Sequence, residues 1–191
     1  DFIERVPADE PYFLYVPFNA PHSPFQANKS DLEKYPHRKG NRRIYAAMVD
    51  SMDQAVGKII GSAQARDDWE NTLVLFFSDN GGVGSVASNG EMRGNKLTQF
   101  QGGVRVAAAA YWKAGGIVGG KRIRERMGYI DVLPTIRKVI GLESSPLKPL
   151  DGIDVLDAMR GKSELKDRPW FTYMDQNDDR MERLAVNRDK W

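Results

Sequence analysis

Cysteine is absent from the sequence, which excludes disulfides, zinc–thiolate centres and a thiol nucleophile within the chain. Histidine is scarce, with two in all, so imidazole chemistry has only His22 and His37 as candidates. Long apolar runs are also missing, and nothing approaches the roughly 18 residues needed to span a bilayer. No signal peptide opens the chain. Low-complexity tracts and internal repeats are absent. Neither sign of charge dominates: the net charge is +2, with bases interleaved among acids, which argues against a nucleic-acid footprint.

What remains is the composition of a globular domain. The 191 residues are 41% hydrophobic and 28% charged, long enough to bury a core. Residues 11–18 read as a short buried strand, closed by Pro17 and followed by the Pro-rich segment around His22. From Arg43, apolar residues recur as Ile44, Ala47, Met48, Met52, Val56, Ile59 and Ile60, the spacing of one helix face. Asp50, Asp53 and Lys58 fall on the other side, and Met48 and Met52 are core residues. Residues 72–77 form an apolar strand, residues 81–103 a long polar loop, and residues 104–112 a further strand. A helix is expected over 130–140, with Pro134 tolerated in its first turn. A second is expected over 153–159. Two strands around the acidic run 175–179 make a hairpin. Alternating strands and helices imply an α/β fold with a small antiparallel appendage at the carboxyl end.

The chemistry concentrates at Ser78-Asp79-Asn80-Gly81-Gly82. An acid and an amide stand at the carboxyl end of a buried strand, where open α/β sheets hold ligands. Their side chains are hard oxygen donors suited to Ca²⁺ or Mg²⁺. Taken alone, Asp-Asn-Gly-Gly is equally a turn sequence. The loop that follows carries Lys96, a compact cation suited to an anionic substrate, or else a solvated loop lysine. His22, flanked by Pro21 and Pro24, could be held for proton transfer, or could be a surface or capping histidine. His37 reads as a surface histidine. The acidic run 175–179 reads as a solvated turn, with carbohydrate or cation binding as the alternative.

These pieces occur in a telling order. A strand leads to Ala20-Pro21-His22, and a helix contains Tyr45-Ala46-Ala47-Met48-Val49-Asp50-Ser51-Met52-Asp53. Ser-Asp-Asn-Gly-Gly follows, then Arg93-Gly94-Asn95-Lys96 and Gly102-Gly103-Val104-Arg105-Val106. Ile130-Asp131-Val132-Leu133-Pro134-Thr135 and Leu150-Asp151-Gly152-Ile153 close the series. Together they resemble the formylglycine-dependent (type I) sulfatases of the alkaline phosphatase superfamily, over nearly the whole chain. The resemblance implies a mixed, mainly parallel sheet flanked by helices. It implies hydrolysis of a sulfate ester by a formylglycine nucleophile with the help of Ca²⁺ (Mg²⁺ the alternative). Asp79 and Asn80 match two ligands of the metal. Lys96 matches the lysine that contacts sulfate and the leaving oxygen, and His22 the histidine that assists the leaving group.

The departures carry equal weight. No Cys/Ser-x-Pro/Ala-x-Arg motif for the nucleophile is present, nor the Asp-Asp pair that completes the metal site, nor the upstream Lys and His. Asn95 stands where Gly is common, and Ala107 where Pro often follows Gly-Gly-x-Arg. The expectation is therefore a fragment covering the carboxyl-terminal part of a sulfatase, inactive by itself. Residues 1–145 would belong to the catalytic domain and 146–191 to a small carboxyl-terminal subdomain. The partners implied are a sulfated small molecule or carbohydrate, with no nucleic acid and no membrane span, and with self-association through uncovered apolar surface. Family resemblance implies a periplasmic, extracellular or lysosomal setting. A phosphodiesterase or phosphonate hydrolase of the same superfamily, or a non-catalytic scaffold, are the alternatives.

Overall fold

A computed structural model describes residues 2–7, 9–142, 148–166, 168–174 and 183–188. Its dominant element is helix α3 (Gly40–Gln64), preceded by α1 (Phe2–Arg5) and α2 (Lys29–Glu33). The apolar spacing read from the sequence is what buries α3: Ala47, Met48 and Ala63 are enclosed, while Asp53 and Lys58 face solvent. Asp50 differs from expectation. It is half-buried and paired with Lys34 Nζ at 3.0 Å, and the same ammonium reaches Asp31 Oδ1 at 3.1 Å. One lysine thus ties the end of α2 to the middle of α3.

The junction between α3 and the chain start is built on Arg66. Its guanidinium donates to Ile3 O (2.9 Å) and Val6 O (2.7 Å) and forks onto Asp68, with Nη2–Oδ2 at 2.7 Å. The acid keeps the guanidinium charged and the guanidinium keeps the Asp68 carboxyl below its usual range.

Strand β1 (Val74–Phe77) pairs antiparallel with β2 (Ala108–Tyr111), in register from Val74↔Tyr111 to Phe77↔Ala108. The 3₁₀ turn Trp69–Asn71 abuts the end of β2, where Trp69 stacks on Tyr111 with centroids 4.8 Å apart. The second strand expected at 104–112 therefore begins late. Helix α4 (Gln101–Val104) occupies its start, because Val104 N and Arg105 N donate backward to Phe100 O and Gln101 O. The mainly parallel sheet expected from the sequence is not seen among the described residues, whose strands pair antiparallel only. Nor do residues 11–18 form a buried strand. They find no ladder partner among the described residues, and Phe13 and Tyr15 are 73% and 74% exposed.

A 3₁₀ turn (Tyr129–Asp131) leads directly into α5 (Val132–Val139), with Pro134 in its first turn as expected. Helix α6 (Leu156–Met159) follows, shorter than the expected 153–159. The hairpin β3 (Trp170–Met174) and β4 (Arg183–Asn187) pairs antiparallel. Its acidic turn, and the boundary expected at 145/146, lie outside the described residues.

The motifs around 131 and 152 prove structural. Asp131, 1% exposed, accepts from Gly128 N (2.9 Å) and Ile153 N (3.0 Å) and pairs with Arg168. Thr135 is fully buried, and its hydroxyl oxygen accepts from Val155 N at 3.0 Å. A Cβ at Gly152 would fall 1.9 Å from Ile130 O, so only glycine permits this approach. An acid, a hydroxyl and a glycine thereby dock residues 152–155 against α5.

Candidate active site

Strand β1 ends by delivering Asp79 and Asn80 to the surface, exposed and half-buried respectively. The strand continues its pairing just far enough to fix them. Ser78 N donates to Ala107 O (3.2 Å) and Gly81 N to Gly103 O (2.8 Å). Between these two anchors, Asn80 donates to Asp79 Oδ1 from its backbone (2.9 Å) and its amide (3.1 Å). The same amide reaches Gly81 O at 3.3 Å. Asn80 Oδ1 and Asp79 Oδ2 take no hydrogen bond among the described residues, which leaves two oxygens available from adjacent side chains.

The loop from 81 to 103 is held by glycines in backbone contact. A Cβ at Gly81 would lie 1.8 Å from Gly102 O, and one at Gly102 would lie 2.1 Å from Gly94 O. No side chain fits at either position, so the segments carrying Asn80 and Lys96 approach closely. Lys96 is half-buried, and its backbone N–H donates to Gly82 O at 3.0 Å. Leu97 follows at φ 71°, a left-handed conformation that costs a leucine about 1–2 kcal/mol.

Asn89 is the residue that sequence reasoning passed over. Its Oδ1 accepts from Gly82 N (2.9 Å), and its amide donates to Gly82 O (3.2 Å) and Gly94 O (3.3 Å). It bridges the residue two past Asn80 to the residue two before Lys96. An Asn in a polar loop carries no signal that distinguishes such a staple, since its partners are backbone atoms. Arg93, whose guanidinium lies 3.9 Å over the Phe100 ring, adds Gly102 N→Arg93 O at 2.7 Å to the same stitching.

Asp79, Asn80 and Lys96 are thus united by one loop. His22 is not tied to them. It is exposed, with its backbone N–H on Asn19 O (2.9 Å) and Nδ1 2.7 Å from Ser23 O. Two oxygens match a hard cation in kind but fall short of the about six to eight that Ca²⁺ takes. No group of three or more Asp, Glu or His residues suited to a metal occurs among the described residues.

Comparison with known proteins resolves what this loop belongs to. The sulfatase family model matches residues 1–142. This chain belongs to the sulfatase family. The sulfatase chain is 36% identical over 180 residues to N-acetylgalactosamine-6-sulfatase of Canis lupus familiaris, covering 91% of this chain and 33% of that protein. It is 32% identical over 182 residues to a sulfatase of Formosa agariphila, covering 86% of this chain and 32% of that protein. A crystal structure of Ps i-CgsB in complex with k-i-k-neocarrahexaose superposes with a TM-score of 0.85 at 30% identity, over 94% of this chain and 40% of that one. The chain therefore spans about a third of the length of the curated relatives it matches.

Proposed function

We propose that the protein carrying this region hydrolyses sulfate esters, and that Asp79, Asn80 and Lys96 form its share of the sulfate-binding site. The observation that supports this reading is the glycine-packed loop of a sulfatase-family chain. It holds an acid, an amide and a lysine together through backbone bonds at Gly82 and Lys96.

In this reading, Asp79 and Asn80 would hold a divalent cation, Ca²⁺ or alternatively Mg²⁺, through the oxygens left unbonded. When bound, such a cation polarises the sulfate oxygens and offsets the charge developing on them. Lys96 attracts a sulfate oxygen as a point charge and stabilises the alkoxide as the ester bond breaks. The stitched backbone around Gly81, Asn89 and Gly102 keeps these groups in place, so little reorganisation accompanies reaction. His22 would donate a proton to the leaving oxygen on the family resemblance alone, since it is exposed and not joined to this loop. The formylglycine nucleophile has no counterpart in a chain without cysteine and without the Ser motif. The isolated chain accordingly binds Ca²⁺ weakly and does not turn over a sulfate ester. The class of substrate is a sulfated saccharide, in keeping with the amino-sugar sulfatase among the relatives and the carrageenan oligosaccharide bound by the structural neighbour.

Chelation provides the test. Sulfate release from a sulfated saccharide by the protein carrying this region should stop when divalent cations are stripped and return on addition of Ca²⁺. Undiminished release after complete chelation would count against Asp79 and Asn80 as metal ligands.

A further inference from the structure

We infer that residues 121–126 present a second, non-catalytic surface that binds the sulfate groups of a polymeric saccharide; the saccharide class rests on the proposed function. The segment Lys121-Arg122-Ile123-Arg124-Glu125-Arg126 runs beside residues 160–165. Its odd-numbered residues face residues 160–165. Lys121 Nζ donates to Arg160 O at 3.2 Å, Ile123 Cδ1 lies 3.5 Å from where a Gly161 Cβ would stand, and Glu125 Oε2 accepts from Leu165 N at 2.8 Å. The one acid of the segment is therefore committed to a backbone N–H. Ile123 and Glu125 are half-buried, whereas Lys121, Arg122, Arg124 and Arg126 are exposed. Arg126 reaches Asn187 O at 3.5 Å, whereas Arg122 and Arg124 form no ion pair among the described residues. These two arginines and Lys162 line an open groove of about 330 Å³ together with Glu125 and Glu164, three bases against two acids.

Residues two apart stand at most about 7 Å from one another, Cα to Cα. That is inside the roughly 8 Å screening length of physiological salt, so the guanidiniums of Arg122 and Arg124 repel each other when unliganded. A single monoanion on an exposed arginine gains little, because each such pair is worth little in water. A chain bearing successive sulfates meets both forks and Lys162 at once, and bidentate guanidinium contacts suit tetrahedral oxyanions. The geometry thus selects a polyanion over a small sulfate ester.

Calorimetric titration of this chain with a carrageenan oligosaccharide at low ionic strength tests the inference. Binding is expected that weakens as salt is raised, and that falls by roughly five- to tenfold in Arg122→Ala/Arg124→Ala. Arg122→Lys/Arg124→Lys should retain part of it. Absence of binding, equal binding by the alanine variant, or equal binding of the desulfated oligosaccharide would overturn the inference. Single-stranded DNA binding as tightly, with the same dependence on both arginines, would overturn the saccharide assignment. In an Asp79→Ala/Lys96→Ala background, Arg122→Ala/Arg124→Ala should still weaken the remaining binding by a similar factor, and no further loss there would move the ligand to the loop site. Hydrolysis of a small aryl sulfate by the protein carrying this region should not change in the arginine variant, so that assay reports on the hydrolytic reading separately.

Discussion

At the scale of single residues, Asp131 shows how a buried charge is stabilised by the groups around it. Two backbone N–H groups and the Arg168 guanidinium meet its oxygens, and that guanidinium also lies 4.3 Å over the Trp170 ring. Removing the acid strands a largely buried arginine and two donors. Asp131→Ala should therefore destabilise the fold by about 3–5 kcal/mol, read from chemical denaturation, with Asp131→Asn intermediate. A loss below about 1 kcal/mol would mean that water replaces the carboxylate. The sequence put Asp131 and Thr135 within a recognisable motif but carried no sign that they bond the backbone of Ile153 and Val155. Asp79, Asn80 and Lys96 stand out in the sequence because a strand-end acid and amide and a loop lysine are chemically distinctive, and the structure places them at one loop. Asn89 was not, since a staple between two glycines has no pattern of its own.

Among the elements, α3 was legible because its pattern matches its burial, the spacing that encloses Ala47 and Met48. The apolar run 72–77 announced β1 as a buried strand, yet Phe76 and Phe77 are exposed there, and pairing with β2 is what forms it. Residues 11–18 looked equally strand-like, but a strand needs a ladder partner, and propensity cannot supply one. The start of β2 was misjudged because Gly103 N and Val104 N turn back onto Phe100 O, and Arg105 N onto Gln101 O, closing a helical turn. The connections between helices depend instead on ion pairs, and these set a pH response. Bonding to Arg66 lowers the Asp68 carboxyl, and bonding to Lys34 lowers that of Asp50. Groups lowered in the folded state stabilise it above their unfolded values and lose that contribution as the pH falls through the folded ones. Circular dichroism during acid titration should show α1 and α2 loosening from α3 at low pH, with Asp68→Asn and Asp50→Asn flattening that dependence. An unchanged acid limb in both variants would contradict the role given to these pairs. The opposite limb belongs to Lys34, raised chiefly by its bond to Asp50, whose contribution is lost as the pH climbs through its raised value.

For the whole molecule, the distribution of apolar side chains is the most telling property. Phe13, Tyr15, Phe76 and Phe77 are exposed in the amino-terminal half, and Phe171, Tyr173, Leu184 and Val186 on the hairpin. Phe171 is paired in register with Val186 and Tyr173 with Leu184, so the hairpin presents these residues on one face. Exposed apolar surface of this kind, beside strands with one ladder partner each among the described residues, favours association. Light scattering of the isolated chain should show species larger than the monomer, increasing with concentration; a concentration-independent monomer would contradict this.

The central claim is that Asp79, Asn80 and Lys96 serve sulfate ester hydrolysis. It is tested most directly by steady-state turnover of an aryl sulfate by the protein carrying this region and by its Asp79→Ala and Lys96→Ala variants, each checked for a native melting transition. Loss of a preorganised charge at a site of developing negative charge costs on the order of 100- to 1,000-fold in kcat. Both variants should fall by that much while remaining folded. Near-normal kcat in either folded variant would contradict the account.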